Sequence, residues 1–298
     1  MNSPFKYVDV LPGSDEWRRW RHTGIGASDA SVIMGTNPYK SPYQLWEEKI
    51  FKREEVSMNA AMKHGVIHEP KAREWVERTY FANFPATCMA DEEDSYLLAS
   101  LDGYDGIEDI VLEIKCPVSS NIWNQVKDYG VHPPYWLDQV QWQLMVSGAQ
   151  KAYLAVYDSK TDHCVVHEIQ PSSFRHYEMR KRAKEFWQMV IHEEPPTMGD
   201  KDYSIVSDSN LEQLVSEYGA AWENSKRLND RLAKLKEKIL ALGPKHSFLC
   251  NGAKINYSKR VGHVDTKAMQ ADGIDIEAYR KDSYSIVSIT YGTDPGES

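Results

Sequence analysis

Two short segments, Ser100-Leu101-Asp102-Gly103 and Leu112-Glu113-Ile114-Lys115-Cys116-Pro117, carry the most informative pattern in the chain. Ten residues separate Asp102 from Glu113, and Lys115 follows Glu113 by two positions. Residues 110–116 alternate as a β-strand does, so Glu113 and Lys115 share one face. Two carboxylates at close range repel each other unless a cation lies between them, and Mg²⁺ prefers oxygen ligands. The pattern therefore indicates a metal-dependent phosphodiesterase.

This spacing has a plainer interpretation, because Glu-x-Lys on a strand is often a solvated face with a cross-strand ion pair. Glu69 favours a metal site over this plainer interpretation. It lies in a helix predicted over residues 58–80, and it shares the apolar stripe of that helix, which consists of Met62, Val66, Ala72, Val76 and Tyr80. A charged residue is rarely placed on a core face without a partner.

In the resulting hypothesis, Asp102 and Glu113 hold one or two Mg²⁺ ions, and the Ile114 carbonyl is a further ligand. Glu69 completes the ligand set from its helix. Lys115 orients the attacking water or stabilises the transition state.

The composition of the 298 residues is that of a globular protein with a formal net charge of −9. This charge speaks against indiscriminate coating of DNA, but a DNA enzyme reads charge locally. Residues 226–238 are locally basic; a DNA channel and a solvated helix face both remain open for them. The four cysteines form no C-x-x-C pair, so we expect reduced thiols without a zinc or iron–sulfur site. No apolar run suggests a membrane span or a signal peptide, and we expect a cytoplasmic protein.

Two further motifs concern metals and phosphates. His64 and His68 lie one helical turn apart and could chelate a transition metal, although a solvated or substrate-facing role is the better interpretation. The turn at residues 24–28 could hold a phosphate through backbone N–H groups, and Ser28 or Asp29 could cap the helix that follows.

Periodicity predicts helices over residues 42–52, 134–147 and 172–193, and strands over 151–157 and 164–169. Residues 96–100 and 110–116 are predicted to form a hairpin-like pair around Asp102. A linker near 197–208 is followed by a helix over 211–242, in which Leu228, Leu232, Leu235, Ile239 and Leu242 have coiled-coil spacing. A hairpin at residues 251–252, a short helix near 266–280 and a strand over 285–291 complete an α+β appendage.

Taken in order, these motifs resemble the YqaJ family of viral recombinases, relatives of phage lambda exonuclease within the PD-(D/E)xK nuclease superfamily. The resemblance covers about residues 14–195 and rests on five motifs: Trp17 with Arg21 and Gly24-Ile25-Gly26-Ala27-Ser28-Asp29; Gly65 with His68-Glu69-Pro70; Ala99 to Gly103; Leu112 to Pro117; and Gln139-Val140-Gln141.

The resemblance implies a restriction-endonuclease-like α/β core, with a mixed central sheet flanked by helices, over residues 1–200. Residues 205–298 would add a helical stalk and a small appendage. It also implies a Mg²⁺-dependent exonuclease, with Mn²⁺ as a substitute, that digests linear duplex DNA from 5′ to 3′. The product is a 3′ single strand for an annealing protein in phage-type recombination, and members of the family can form trimeric rings.

By position, the resemblance assigns catalysis to Glu69, Asp102, Glu113, Lys115 and Gln139. It assigns the 5′-phosphate to Arg21 and Ser28, with Ser100 as a helper. Two rivals remain: a site-specific endonuclease on the same fold, and a non-catalytic protein that binds DNA or a partner.

Overall fold

The computed structural model describes residues 5–51, 59–200, 202–203, 206–258 and 266–275. The chain divides into two compact units, Met1–Ser204 and Ile205–Ser298. No helix in the described ranges combines the length and apolarity that a membrane crossing requires.

The first unit mixes strands and helices. Its strands are β1 (Phe5–Val8), β2 (Thr87–Asp91), β3 (Leu98–Leu101), β4 (Gly103–Asp105), β5 (Ile110–Lys115), β6 (Lys151–Asp158) and β7 (His163–Ile169). Its helices are α1 (Asp15–Arg21), α2 (Ala30–Ile33), α3 (Pro42–Phe51), α4 (Ala60–Tyr80), α5 (Ser120–Tyr129), α6 (Pro134–Ser147) and α7 (Ser173–Ile191), with a 3₁₀ turn at Ala27–Asp29.

The strands form two sheets. An antiparallel sheet has the order β1-β2-β3, and a mixed sheet has the order β4-β5-β6-β7. Strands β5 and β6 are parallel, whereas β4 and β7 run antiparallel to their neighbours. A parallel pair needs a crossover connection, and α5 with α6 provides it. This is the mixed sheet flanked by helices that the resemblance implies.

Helix α6 is central to the core of the first unit. Trp142, Leu144 and Val146 are almost fully buried, and the same cluster includes residues from β3, β5, β6 and α7. The helix starts at a proline and ends at Gly148, which has φ 66° in the left-handed region that favours glycine. Both ends are therefore fixed by local sequence.

Strand β5 is covered on both faces. Ile110, Leu112 and Ile114 pack in a cluster with Ala72 and Val76 of α4. Val111, on the opposite face, belongs to the cluster around α6. The alternation predicted from the sequence is confirmed, and it turns Glu113 and Lys115 towards α6.

Three predictions about local structure were wrong. Residues 96–100 and 110–116 do not pair with each other, because β3 pairs with β2 and the short strand β4 occupies the edge of β5. The stripe on α4 is not buried throughout, since Met62 is 43% and Val66 is 59% exposed. Asp29 occupies the N-cap position of the next helix but supplies no side-chain cap, because its carboxylate accepts a hydrogen bond from the preceding Gly26 N–H.

The second unit contains α8 (Ser209–Leu242), a hairpin of β8 (Phe248–Cys250) and β9 (Ala253–Ile255), and α9 (Thr266–Ala271). The predicted hairpin turn is confirmed, with positive φ at Asn251 and Gly252. The predicted strand over residues 285–291 lies outside the described residues.

Candidate active site

The carboxylate of Glu113 lies at the centre of a buried polar cluster between β5 and α6. Its side chain is 2% exposed. Lys115 Nζ lies 2.7 Å from Glu113 Oε1, and Gln139 Nε2 donates to the same oxygen at 2.7 Å. Lys115 also donates to Gln139 Oε1 at 2.8 Å. These three predicted residues therefore hold one another in a closed triangle.

A fourth member, Gln143, was not among the predicted site residues. It is fully buried, and its Nε2 donates to Glu113 Oε2 at 2.5 Å and to the Ser100 carbonyl at 3.4 Å. Gln139 and Gln143, from two successive turns of α6, therefore donate to different oxygens of the Glu113 carboxylate, Oε1 and Oε2 respectively. The sequence signal was present, because Gln143 is a polar residue one turn after Gln139 within an apolar stretch.

Asp102 approaches this cluster at the edge of β5 and lines the same pocket as Gln139. Strand β4 pairs with β5 only as far as Gly103 opposite Leu112, so the edge of β5 is open beyond that point. The Ile114 N–H on this edge donates to Asp102 Oδ2 at 2.8 Å. Gly103 is required next to Asp102, because a Cβ there would lie 2.5 Å from the Phe84 Cβ.

The electrostatics of Asp102 are those of a crowded acidic site. Burial raises the pKa of Asp102 well above its ordinary value, and the negative charges of Glu113 and Glu69 raise it further. Lys115 and the Ile114 N–H lower this pKa, but they do not offset the increase. The ionised form of Asp102 is therefore short of positive charge.

Glu69 lies at the margin of this group. From α4 it is close enough to raise the pKa of Asp102. Its own carboxylate pairs with Arg73 at 2.7 Å, and its side chain is 36% exposed. The structure thus brings Glu69 towards the site, but on a partly solvated surface rather than on the core face that the apolar stripe predicted.

The oxygen donors of this site suit the predicted metal. Asp102, Glu113 and the Ile114 carbonyl offer only oxygen, the chemistry that Mg²⁺ prefers. The carbonyl and the N–H of one strand residue point to the same edge, so the Ile114 carbonyl shares the edge at which Asp102 lies. In the described ranges no three His, Cys, Asp or Glu side chains are gathered closely enough to hold a metal ion. The donor chemistry fits a hard divalent cation, with Glu113 held by its hydrogen-bond partners.

The rings of His64 and His68 on α4 have centroids 4.4 Å apart, with their planes tilted by 52°. His64 Nε2 lies 3.3 Å from the Ser159 hydroxyl, a neutral partner. In the described part of the chain, no third ligand of a transition metal joins this pair.

The predicted phosphate residues line a pocket of about 170 Å³ together with Asp102 and Gln139. Arg21 donates to the Ser28 hydroxyl at 2.8 Å, and its guanidinium lies 4.7 Å from the centre of the Trp17 ring. The Trp17 indole N–H donates to the Ser100 hydroxyl at 3.1 Å. Trp17 therefore positions both Arg21 and Ser100, a role that was not predicted from the sequence.

The glycine-rich turn joins this pocket to the start of β3. The Ile25 N–H donates to the Tyr96 carbonyl at 2.7 Å, and the Leu98 N–H donates to the Ile25 carbonyl at 2.9 Å. Gly24 is needed for this approach, since a Cβ would lie 2.2 Å from the Tyr96 oxygen. The turn thereby fixes the distance between Ser28 and Ser100.

The backbone of the turn is less available to a phosphate than the sequence suggested, because the Gly26 N–H donates to Asp29 Oδ2 at 3.0 Å. Asp29 is buried, yet its pKa is lowered to about 2: the penalty of burial is outweighed by Lys49, at 2.9 Å, and by Arg21. An anion in this pocket would therefore be bound mainly by the Arg21 side chain and the two hydroxyls.

Known proteins with a similar sequence share the segment that builds this site. The YqaJ-like viral recombinase domain matches residues 16–150, a range that contains every residue of the cluster and the pocket. The YqaJ protein of Bacillus subtilis (strain 168) is 28% identical over 230 residues, which are 76% of this chain and 69% of the relative.

The fold has solved counterparts. The crystal structure of an alkaline exonuclease (LHK-Exo) from Laribacter hongkongensis gives a TM-score of 0.53 at 24% identity, covering 60% of this chain and 94% of that one. The structure of LHK-Exo in complex with dAMP gives a TM-score of 0.54 at 23% identity, with the same coverage. These likenesses show the restriction-endonuclease-like fold, and over residues 16–150 the chain is similar to the YqaJ-like viral recombinase domain.

Proposed function

We propose that this protein is a Mg²⁺-dependent exonuclease that digests linear duplex DNA from 5′ to 3′ and leaves 3′ single strands for recombination by annealing. The observation that carries the proposal is the shared pocket: Arg21, Ser28 and Ser100 open into the space that Asp102 and Gln139 also line. A phosphate binder beside a carboxylate cluster suits an enzyme that starts at a DNA end.

The phosphate side of the pocket has a physical basis for end recognition. Arg21 can present two N–H groups to a terminal phosphate, and a pair of hydroxyls can donate alongside it. The guanidinium is held against Trp17 at 4.7 Å from the ring centre, so less side-chain freedom is lost on binding. A phosphate inside a continuous strand carries an additional ester, which this small pocket would exclude.

The hydrolytic side would act on the adjacent phosphodiester. Lys115, held by Glu113 and Gln139, can orient a water for attack and stabilise negative charge on the phosphate. Gln139 and Gln143 keep the Glu113 carboxylate in one orientation from two turns of a rigid helix. This rigidity keeps the reacting groups aligned.

Asp102, Glu113 and the Ile114 carbonyl would hold Mg²⁺, for which Mn²⁺ could substitute, and Glu69 would complete the ligand set. When bound, the metal lowers the pKa of a water and neutralises charge on the phosphate and the leaving oxygen. The raised pKa of Asp102 supports this assignment, because a carboxylate short of positive charge gains most from a cation.

The proposal includes partners. A single-strand annealing protein would take up the 3′ strand, and a ring of three subunits would keep the enzyme on its substrate. Because that substrate is DNA in an infected bacterial cell, we place the activity in the host cytoplasm. These elements rest on the family match alone.

The test uses a linear duplex labelled at either the 5′ or the 3′ end, with Mg²⁺ or with EDTA. The proposal predicts early release of the 5′ label, late release of the 3′ label, and no release in EDTA. Glu113→Ala is the inactive control. Early release of the 3′ label, or full activity of Glu113→Ala, contradicts the proposal.

Two alternatives predict different results in the same assay. A site-specific endonuclease yields discrete internal fragments. A non-catalytic binding protein retards the duplex in a gel and releases neither label. The pocket that joins Arg21 to Asp102 favours the exonuclease, because an internal cut needs no binder for a terminal phosphate.

A further inference from the structure

Helix α8 carries a heptad pattern that keeps one register along its whole length. Leu228, Leu232, Leu235, Ile239 and Leu242 set the register, and the same register continues back to Leu211. The first core position of each heptad is Leu211, Tyr218, Ser225, Leu232 and Ile239; the second is Leu214, Ala221, Leu228, Leu235 and Leu242. Only Ser225 interrupts this apolar seam, which follows a helix of 34 residues, or about 51 Å.

The seam is exposed in the part of the chain that the structure describes. Its eight large side chains range from Tyr218, at 41% exposed, to Leu242, at 91%. A contiguous apolar stripe of this length marks an interaction site, because water-exposed apolar surface of that extent is costly. The 4-3 spacing suits another helix lying alongside, in a two-stranded coiled coil.

The distribution of charge along α8 indicates which helix would lie alongside it. Residues 209–225 contain three acidic and no basic residues, whereas residues 226–242 contain six basic and two acidic ones, a net −3 against +4. A second α8 running antiparallel would set the acidic half against the basic half of its partner. A parallel arrangement would instead set like against like and bring Arg231 next to Lys236 of the other helix.

An antiparallel pair in which two copies of α8 overlap along their full length also brings the core positions of the seam together. Leu211 then lies opposite Leu242, Tyr218 opposite Leu235, and Ser225 opposite Leu228, so every layer pairs a first with a second core position. The arrangement is two-fold symmetric, as most homodimers are.

We propose that α8 is a dimerisation element that pairs antiparallel with α8 of a second copy of this chain. The basic residues of its C-terminal half then face the acidic half of the partner helix, which gives the basic segment a role other than DNA binding. This inference does not depend on the nuclease function.

The first test is the mass of the full-length protein by sedimentation equilibrium. The proposal predicts an even multiple of 34.2 kDa: a dimer, or a hexamer in which α8 pairs join two of the proposed rings of three subunits. It also predicts that the seam variant Leu228→Glu/Leu235→Glu has half that mass. The matched control is Ala220→Glu/Ala233→Glu, which adds the same charge at exposed positions outside the seam and should keep the full mass. A monomeric wild type, a trimer, or a seam variant of unchanged mass overturns the proposal.

The second test measures orientation by disulfide formation, with the exposed Cys250 replaced by serine. Positions 214 and 239 lie opposite each other only in the antiparallel pair. Within one helix they are about 37 Å apart, too far for a bridge. Leu214→Cys/Ile239→Cys should therefore form covalent dimers on oxidation, whereas Leu214→Cys alone should not. Efficient crosslinking of Leu214→Cys alone, or none in the double variant, overturns the antiparallel arrangement. Neither result depends on DNA cleavage.

Discussion

Replacing Gln143 with Met tests whether the second glutamine of α6 positions the Glu113 carboxylate. The substitution keeps the length of the side chain and removes the Nε2 group that donates to Glu113 Oε2 at 2.5 Å. The other carboxylate oxygen keeps its contacts with Lys115 and Gln139. Glu113 should stay paired with Lys115 in the variant, but its carboxylate should be free to turn.

The size of the effect follows from the type of bond. A hydrogen bond to a charged group contributes about 1.5–3 kcal/mol. If all of it is needed in the transition state, kcat falls about 10- to 150-fold, since about 1.36 kcal/mol is tenfold in rate. KM should change little, because Gln143 does not line the phosphate pocket.

Stability should change much less than rate. Gln143 Oε1 is buried and has no hydrogen-bond partner among the described residues, so removing it recovers part of the cost of the lost donor. The assay is nucleotide release from a 5′-phosphorylated linear duplex at saturating Mg²⁺, together with a thermal melt. Gln125→Met, an exposed glutamine on α5, is the control for the substitution itself and should keep wild-type values.

Two results would refute the reasoning. If Gln143→Met keeps more than about half of the wild-type kcat, the bond to Glu113 Oε2 does not position the carboxylate. If kcat and the melting temperature fall together, and the loss of rate disappears on cooling, Gln143 supports the packing of α6 rather than the geometry of the site.

Three further predictions concern the pocket, the metal site and pH. Arg21→Lys should raise KM about tenfold for 5′-phosphorylated ends, because a bidentate contact is lost. The change in KM for 5′-hydroxyl ends should be much smaller. An equal change for both kinds of end would show that Arg21 does not recognise the terminal phosphate. Asp102→Asn should raise the melting temperature in EDTA. The pKa of Asp102 is raised in the folded protein, so the free energy of unfolding falls as the pH rises above the unfolded-state pKa of this carboxyl, and Asn removes that effect. The variant should also lose the rise in melting temperature that Mg²⁺ is expected to cause in the wild type; a lower melting temperature in EDTA would contradict this. Burial lowers the pKa of both His132 and His176 from 6.5 to about 4, with contributions from His167 and Arg180 respectively. The stability that these neutral histidines contribute is therefore full above pH 6.5 and declines towards pH 4. Urea melts of His132→Gln should show a weaker decline than the wild type; an unchanged pH profile would exclude His132 as a cause.

Long periodic elements of this fold were predictable from the sequence. Helices α3, α6, α7 and α8 and strands β6 and β7 lie where hydrophobic spacing placed them, since each follows a regular apolar pattern. The short strands β1, β2 and β4 were missed, because three to five residues carry too little periodicity to be recognised. The error around Asp102 followed from this, since β4 occupies the edge of β5 that was predicted to pair with residues 96–100.

Some residues of the site could likewise be predicted from local sequence patterns, whereas others could not. Glu113 and Lys115 could be placed on one face of a strand from alternation alone, and the structure confirms that they share it. Glu69 was predicted as a site residue from a stripe of α4 that is in fact half exposed, although the residue still lies near Asp102. Gln143 and Trp17 both stand out in the sequence, but their partners lie 30 and 83 positions away, and no local pattern identifies such distant partners.

The central claim is that this protein attacks DNA only from ends, with Glu113 at the centre of the hydrolytic site. The most direct measurement incubates a linear duplex and a covalently closed circle of the same sequence in one Mg²⁺-containing reaction. The account predicts complete digestion of the linear duplex and an intact circle, and it predicts that Glu113→Ala leaves both untouched. Cleavage of the circle at a rate comparable to that of the linear duplex would contradict it.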